Sequence, residues 1–263
     1  VPGYPTWIWR LRPGGDMALS ADIHARLREN SVNLEAGDLQ PVQGAAAKHQ
    51  VTIVLGVNEI DAEFSGTTLF NTVVVIGPDG SLLNRHRKLM PTNPERMVWG
   101  MGDATGLRVV ATPGGRLGTL ICRENYMPLA RYALYAQDVE IYVAPTWDAG
   151  DSWLATMRHI ACEGRCYVIG CNQYFRKGDF PEHLRNELAP DRPEVLSSGG
   201  SVIVGPLGEV LAGPLHGEEG VLVAEVDLDE VVRSRMDFDA CGHYARDDIF
   251  EFSARGQPET KKQ

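Results

Sequence analysis

The chain has 263 residues, 43 % of them apolar and 23 % charged, which is the balance of a globular protein with a substantial core and excludes a mainly disordered chain. With 25 Lys and Arg against 35 Asp and Glu the net charge is -10, so a nucleic-acid partner held by a basic footprint is excluded and a small, neutral or weakly charged partner is favoured. No apolar run reaches the roughly 20 residues of a bilayer-spanning helix, and the N-terminal residues lack the basic-then-apolar order of a secretory signal; no membrane partner is expected, and the chain reads as cytoplasmic.

The opening, VPGYPTWIWRLRPGG at 1–15, has no initiating methionine and reads as the interior of a longer protein. Helical residue types follow at 17–29 and at 41–50, the second with Pro in its first turn. The β-branched runs at 51–60 and 69–77 and the segment SLLNRHRKL after Pro78-Asp79-Gly80 predict consecutive paired strands. Residues 107–122 predict a hairpin bent at Pro113-Gly114-Gly115, with Cys122 ending its second strand. A helix over 128–137, the strand EIYVAPTW, a helix over WLATMRHIACEGR capped by Asp151 or Ser152, and the strand CYVIGCNQ come next. A polar stretch at 174–198 reads as loop. GGSVIVGPLGEVLAGP and GVLVAEVDL predict three further strands, and DLDEVVRSRM a short helix. The expected organisation is a single α/β layered domain over 1–250, with a polar tail at 251–263 whose end, GQPETKKQ, reads as disordered.

The five cysteines, at 122, 162, 166, 171 and 241, are odd in number, so a disulfide framework is not expected and at least one thiol is free. Cys162, Cys166 and Cys171 match no CxxC spacing, and no metal is expected there. The densest set of reactive types lies between residues 85 and 126. Cys122, set ahead of a helix start, has the position of a thiol whose ionised form a helix dipole favours, although a lone cysteine after an apolar run is more often packing. Lys88 at a strand end can hold a developing anion, and Glu95 in the loop beyond can move a proton; a solvated basic turn is the plain alternative. GxGxxG, GxxxxGK[ST] and HExxH are absent.

PGYPTWIW at 2–9, GTTLFNT at 66–72, RHRKLMPT at 85–92, ENYMPLARYALYAQ at 124–137, PTWD at 145–148, MRHIACEGRCYVIG at 157–170, GGSVIVGPLGEVLAGP at 199–214 and GHYAR at 242–246 follow in the order of one family. Together they closely resemble the nitrilase branch of the carbon-nitrogen hydrolase superfamily. The resemblance implies a four-layer α-β-β-α sandwich, here apparently lacking the first strand and helix, and a homo-oligomer, dimer or spiral. It implies Cys122 as nucleophile, Lys88 as catalytic lysine and Glu95 as auxiliary glutamate, with no cofactor. The nitrile would pass through a thioimidate and a thioester to acid and ammonia.

In the family a general-base glutamate lies a few residues before the PGYP segment, ahead of Val1; Glu59 and Glu63 are poor substitutes. Arg123 stands where nitrilases usually carry Trp, which leaves substrate preference open. Arg123 and Trp147 are the candidate substrate-binding residues, and Trp99 and Tyr126 are further rings that either shape a pocket or pack a core. His243 reads as structural. Two rivals to a nitrilase remain: an amidase or carbamoylase on the same scaffold, and a truncated non-catalytic homologue. Loss of the first strand and helix also predicts an exposed sheet edge and poor solubility.

Overall fold

Runs of β-branched residues separated by turn residues become paired strands, and residues 53–87 follow that rule. The computed structural model describes residues 8, 14, 17–63, 65–180, 182 and 193–255. The tail at 256–263 and the opening segment, apart from residues 8 and 14, lie outside them. The chain divides into two compact units, Val1–Gly106 and Leu107–Gln263.

In the first unit β1 (Ile53–Ile60), β2 (Leu69–Ile76) and β3 (Leu82–Arg87) form an antiparallel sheet with β2 in the middle, in the register Val54↔Val75 and Thr72↔Arg87. Val73, Val74, Val75 and Ile76 are all buried. Because successive side chains point to opposite faces, neither face of β2 meets solvent. The helices α1 (Met17–Glu29) and α2 (Gln40–His49) precede the sheet. Pro41 sits in the first turn of α2, where its missing N–H costs nothing, and Gln50 ends the helix in the left-handed conformation with φ 52°. Ala46 of α2 and Leu39 pack on Val74 and Ile76, with Val42, Ile53 and Leu55 around them.

The second unit holds a seven-stranded mixed sheet: β4 (Val110–Thr112), β5 (Gly115–Thr119), β6 (Ile141–Thr146), β7 (Tyr167–Asn172), β8 (Tyr174–Arg176), β9 (Val195–Val204) and β10 (Val210–His216). Its order is β10-β9-β7-β6-β5-β4, with β8 paired to the start of β9. The central strands β5, β6 and β7 are parallel, as the alternation of strand and helix through α3 (Pro128–Tyr135) and α4 (Asp151–Gly164) requires. Trp153, Met157, Ile160 and Ala161 recur on one face of α4 at helical spacing and are buried. Gly164 ends that helix where no side chain fits, since a Cβ there would lie 2.5 Å from the Tyr135 ring. A last helix, α5 (Leu228–Ser234), is capped by Asp227, whose carboxylate accepts from the Asp229 N–H at 3.0 Å.

Four local expectations need correction. The alternating segment 220–228 reads as a strand, but residues 220–227 join no ladder among the described residues: Val221 and Val223 are 88 % and 80 % exposed, while Gly220 and Leu222 approach β10 near Leu215 and Gly213 without pairing. The polar stretch 174–198 is not all loop, because backbone pairing and not apolar content decides a ladder; β8 and the first residues of β9 lie in it. The cap of α4 is Gly150, with extended backbone, and no side chain closes that end. The strand before Cys122 stops at Thr119, and Cys122 opens a 3-10 turn, Cys122–Tyr126.

Truncating Ile76, wholly buried against α2, leaves a cavity that the packed sheet cannot collapse around. Ile76→Ala is expected to lower the unfolding free energy by about 2–5 kcal/mol, read as a lower urea midpoint at unchanged slope.

Candidate active site

Lys88 is the first residue past β3, and its backbone is held on both sides. Its N–H donates to Asn71 O and its carbonyl accepts from the Gly102 N–H, each at 2.8 Å. Gly102 permits that approach, since a Cβ there would lie 2.1 Å from Arg87 O. The Lys88 side chain is 1 % exposed, and its Nζ donates to Glu95 Oε2 at 2.6 Å. Glu95 is equally buried and belongs to a 3-10 turn, Asn93–Met97, entered through Thr92. The Thr92 N–H donates to the same carboxylate oxygen at 2.7 Å, and the Thr92 hydroxyl accepts from Nζ at 3.3 Å. The sequence signal is the Thr-x-x-Glu pattern of a capping box. Its effect is to seat a carboxylate beside an ammonium group that has left water, which a buried charge requires.

Glu59 and Glu63 have other surroundings. Glu59 Oε2 accepts from the Thr72 hydroxyl at 2.7 Å and Oε1 from Arg87 Nε at 3.0 Å, while Arg85 lies 3.6 Å away. Arg87 also stacks over the Phe70 ring at 3.8 Å and reaches Asp61 at 3.5 Å. With both oxygens engaged, Glu59 ties β1 to β2 and β3. Glu63 is exposed. Trp99 is a core ring of the same unit whose Nε1 donates to Asn58 Oδ1 at 3.1 Å.

In the second unit Cys122 is part-exposed and has φ 52°, a left-handed conformation that costs a non-glycine residue of order 1–3 kcal/mol and persists only where its surroundings enforce it. The turn it opens is closed by Glu124, whose N–H donates to Ile121 O at 3.1 Å and whose carboxylate accepts from the Ile121 N–H at 2.6 Å. Arg123 turns outward: its guanidinium pairs with Asp148 at 3.1 Å and lies over the Tyr126 ring at 5.2 Å. Asp148 follows Trp147, which is half-buried, so Arg123 and Trp147 come to one part of the unit. Tyr126 is edge-on to Trp153 with centroids 6.3 Å apart. His243 is exposed against Tyr244. Lys88 and Glu95 are thus joined directly in the first unit, and Cys122, Arg123 and Trp147 lie in the second.

Sequence reasoning passes over four residues that hold the cysteine turn from below: Asn125, Arg131, Tyr142 and Glu163. Arg131 of α3 forms a two-pronged bond to Glu163 of α4, at 2.7 and 3.1 Å, and Tyr135 donates to the same carboxylate at 2.8 Å. Burial pushes the Glu163 carboxyl up, but the bonds from Arg131 and Tyr135 outweigh it and hold the group below its ordinary value of 4.5. Burial drives the Tyr142 phenol well up, so it stays a protonated donor.

The chain matches the carbon-nitrogen hydrolase family over residues 2–236. An aliphatic nitrilase of Sinorhizobium fredii (strain HH103) is 46 % identical over 261 residues, 99 % of this chain and 83 % of that protein. An arylacetonitrilase of Trametes versicolor (strain FP-101664) is 41 % identical over 274 residues, 99 % and 84 % of the two chains. Among solved structures, a carbon-nitrogen hydrolase from Helicobacter pylori G27 superposes with a TM-score of 0.63 at 24 % identity, covering 74 % of this chain and 68 % of that one. The chain belongs to the carbon-nitrogen hydrolase family, in its nitrilase branch, and has the α/β fold of that family.

Two outcomes follow from the second unit. Glycine tolerates a left-handed φ, so Cys122→Gly is expected to be at least as stable as Cys122→Ala in urea unfolding, against the usual preference of about 0.5–1 kcal/mol for alanine. A depressed carboxylate stabilises above its unfolded pKa and ceases to do so as pH falls through the lower folded value. The stability gap between the parent and Glu163→Gln is therefore expected to be full above about pH 5 and to close at lower pH, measured by urea titration across that range.

Proposed function

We propose that the protein is a nitrilase that hydrolyses a small organic nitrile to a carboxylic acid and ammonia, with Cys122 as nucleophile. The reading is carried by the 46 % identity to an aliphatic nitrilase over 99 % of the chain, taken with the left-handed backbone that presents Cys122 at the head of a braced turn. The thiolate adds to the nitrile carbon and the nitrogen takes a proton, giving a thioimidate. Water adds to that carbon, ammonia leaves with the C–N bond, and the thioester that remains is hydrolysed by a second water to release the acid and the thiol.

Lys88 is assigned to the negative charge that develops at each addition, together with a backbone N–H near residue 123. Glu95 sets the position of the ammonium group through its 2.6 Å bond and is placed to share proton transfer. Arg123 and Trp147 are assigned to the substrate. Arg123 is paired with Asp148 and brings a flat, charge-matched surface where an indole is usual in the family. No cofactor enters the sequence of steps. The two units are read as one catalytic domain over 1–250, self-associating as a dimer or spiral on the strength of the family resemblance. Five free cysteines support a cytoplasmic setting, where thiols stay reduced.

The test is ammonia release from a panel of nitriles, each paired with its matching amide. Cys122→Ala is expected to abolish release, and Lys88→Met to lower kcat by at least about 100-fold, the size of effect of one lost oxyanion donor. Activity that survives in Cys122→Ala removes the nucleophile assignment, and turnover of the amides without the nitriles turns the reading into an amidase.

A further inference from the structure

Beneath the cysteine turn lies a group of buried polar side chains to which the reaction assigns no part. Asn125 is wholly buried, three residues past Cys122. Its side-chain amide donates to two carbonyls, Leu120 O at 3.1 Å and Cys122 O at 2.8 Å. Its Oδ1 accepts from the Tyr142 hydroxyl of β6 at 2.7 Å, and its backbone carbonyl accepts from Arg131 Nη1 of α3 at 2.9 Å. Arg131 in turn is locked by the two-pronged bond to Glu163 of α4. A strand and two helices therefore converge on one asparagine, and that asparagine grips the carbonyl of the cysteine.

The consequence is set by peptide geometry. The C=O and N–H of a trans peptide point in opposite directions, so a Cys122 carbonyl held toward Asn125 turns the Arg123 N–H the other way. That bond restrains rotation about the Cα–C bond of Cys122; with Leu120 O held by the same amide and the Ile121 N–H by Glu124, the main chain is fixed on both sides of the left-handed residue, and with it the direction in which Cβ leaves the chain. A guanidinium-carboxylate fork is suited to this because its planar, two-point geometry resists rotation as a single hydrogen bond does not. Plain core filling has no need of an ion pair, which hydrocarbon of similar volume often replaces without loss of stability.

We propose that Asn125, held by Tyr142 and by the Arg131–Glu163 pair, is the positioning residue of the nucleophile, fixing the peptide between residues 122 and 123 so that the thiol and the Arg123 N–H are directed together. The proposal rests on Cys122 being the nucleophile. Tyr142→Phe removes one hydroxyl and leaves the ring, and Arg131→Lys keeps the charge but loses the fork. Arg233→Gln, in an exposed ion pair of α5, is the control.

The experiment measures kcat and KM for ammonia release by the full chain, the rate of Cys122 alkylation by iodoacetamide across pH, read by peptide mass, and the melting temperature. Tyr142→Phe is expected to lower kcat about 10-fold and Arg131→Lys about 10- to 100-fold with KM within about threefold, since misdirected groups lose transition-state contacts and not ground-state binding. The alkylation profile of Cys122 is expected to shift in both, and Arg233→Gln to match the parent. Unchanged kcat and unchanged alkylation in folded Tyr142→Phe overturn the proposal even if its melting temperature falls, and that variant decides alone if Arg131→Lys does not fold. Persistent ammonia release in Cys122→Ala sinks the nucleophile reading instead. If the parent turns over no nitrile and no amide, the alkylation profile decides alone: a shift in Tyr142→Phe supports the positioning role and an unshifted profile overturns it.

Discussion

A charge taken out of water has to bring its counter-charge with it, and the chain is organised around that requirement in three places. An unpaired buried ion costs several kcal/mol, and the attraction in a paired one does little more than repay desolvation. Set against hydrocarbon of similar volume the ion pairs gain little stability, although losing one partner is costly, and what they add is fixed geometry. Lys88 and Glu95 are both 1 % exposed, and the 3-10 turn at Asn93–Met97 folds the carboxylate back over the end of β3. Glu59, with Arg87, ties the same sheet together one residue before that lysine. Arg131 and Glu163 do the corresponding work in the second unit, between α3 and α4.

The two sets of residues to which the proposed reaction assigns a part are held by different means. An ammonium group needs only to be near its partner, and one short bond to Glu95 with a second to Thr92 suffices. A thiol is a poor hydrogen-bond acceptor and donor, so little can be gained by gripping the sulfur itself. The fold controls the backbone that carries it. The positive φ at Cys122, the Glu124 carboxylate on the Ile121 N–H and the Asn125 amide on two carbonyls all act on main-chain groups on either side of the sulfur.

How much of this is legible in the sequence depends on how local the signal is. The helices at Gln40–His49 and Asp151–Gly164 are visible because a Pro in the first turn, or apolar residues at helical spacing, act within one element. The segment 220–227 shows where that logic stops: alternation of Val221, Val223 and Glu225 reports an extended backbone, but a ladder also needs a free edge, and no residue pattern announces one. Lys88, Glu95 and Cys122 stand out through the order of family blocks and not by residue type, since a lysine in a basic turn and a cysteine in an apolar run look ordinary. Thr92 is within reach, as the Thr-x-x-Glu spacing is a local cue. Arg131 and Glu163 are not, because their meeting across 32 residues is a product of helix packing alone.

Arg123 is the point at which sequence and structure weigh the same departure differently. Set against a family that usually carries Trp there, an arginine beside the nucleophile reads as a lost aromatic wall and a new charge. In the folded unit Asp148 sits 3.1 Å from the guanidinium and matches that charge, and the planar group lies over the Tyr126 ring. Arginine is the cation able to do both, because its delocalised, flat head stacks on a ring while its edge meets a carboxylate. The guanidinium thus offers a flat surface whose positive charge Asp148 matches, and under the proposed reading the departure from Trp bears on which nitrile fits.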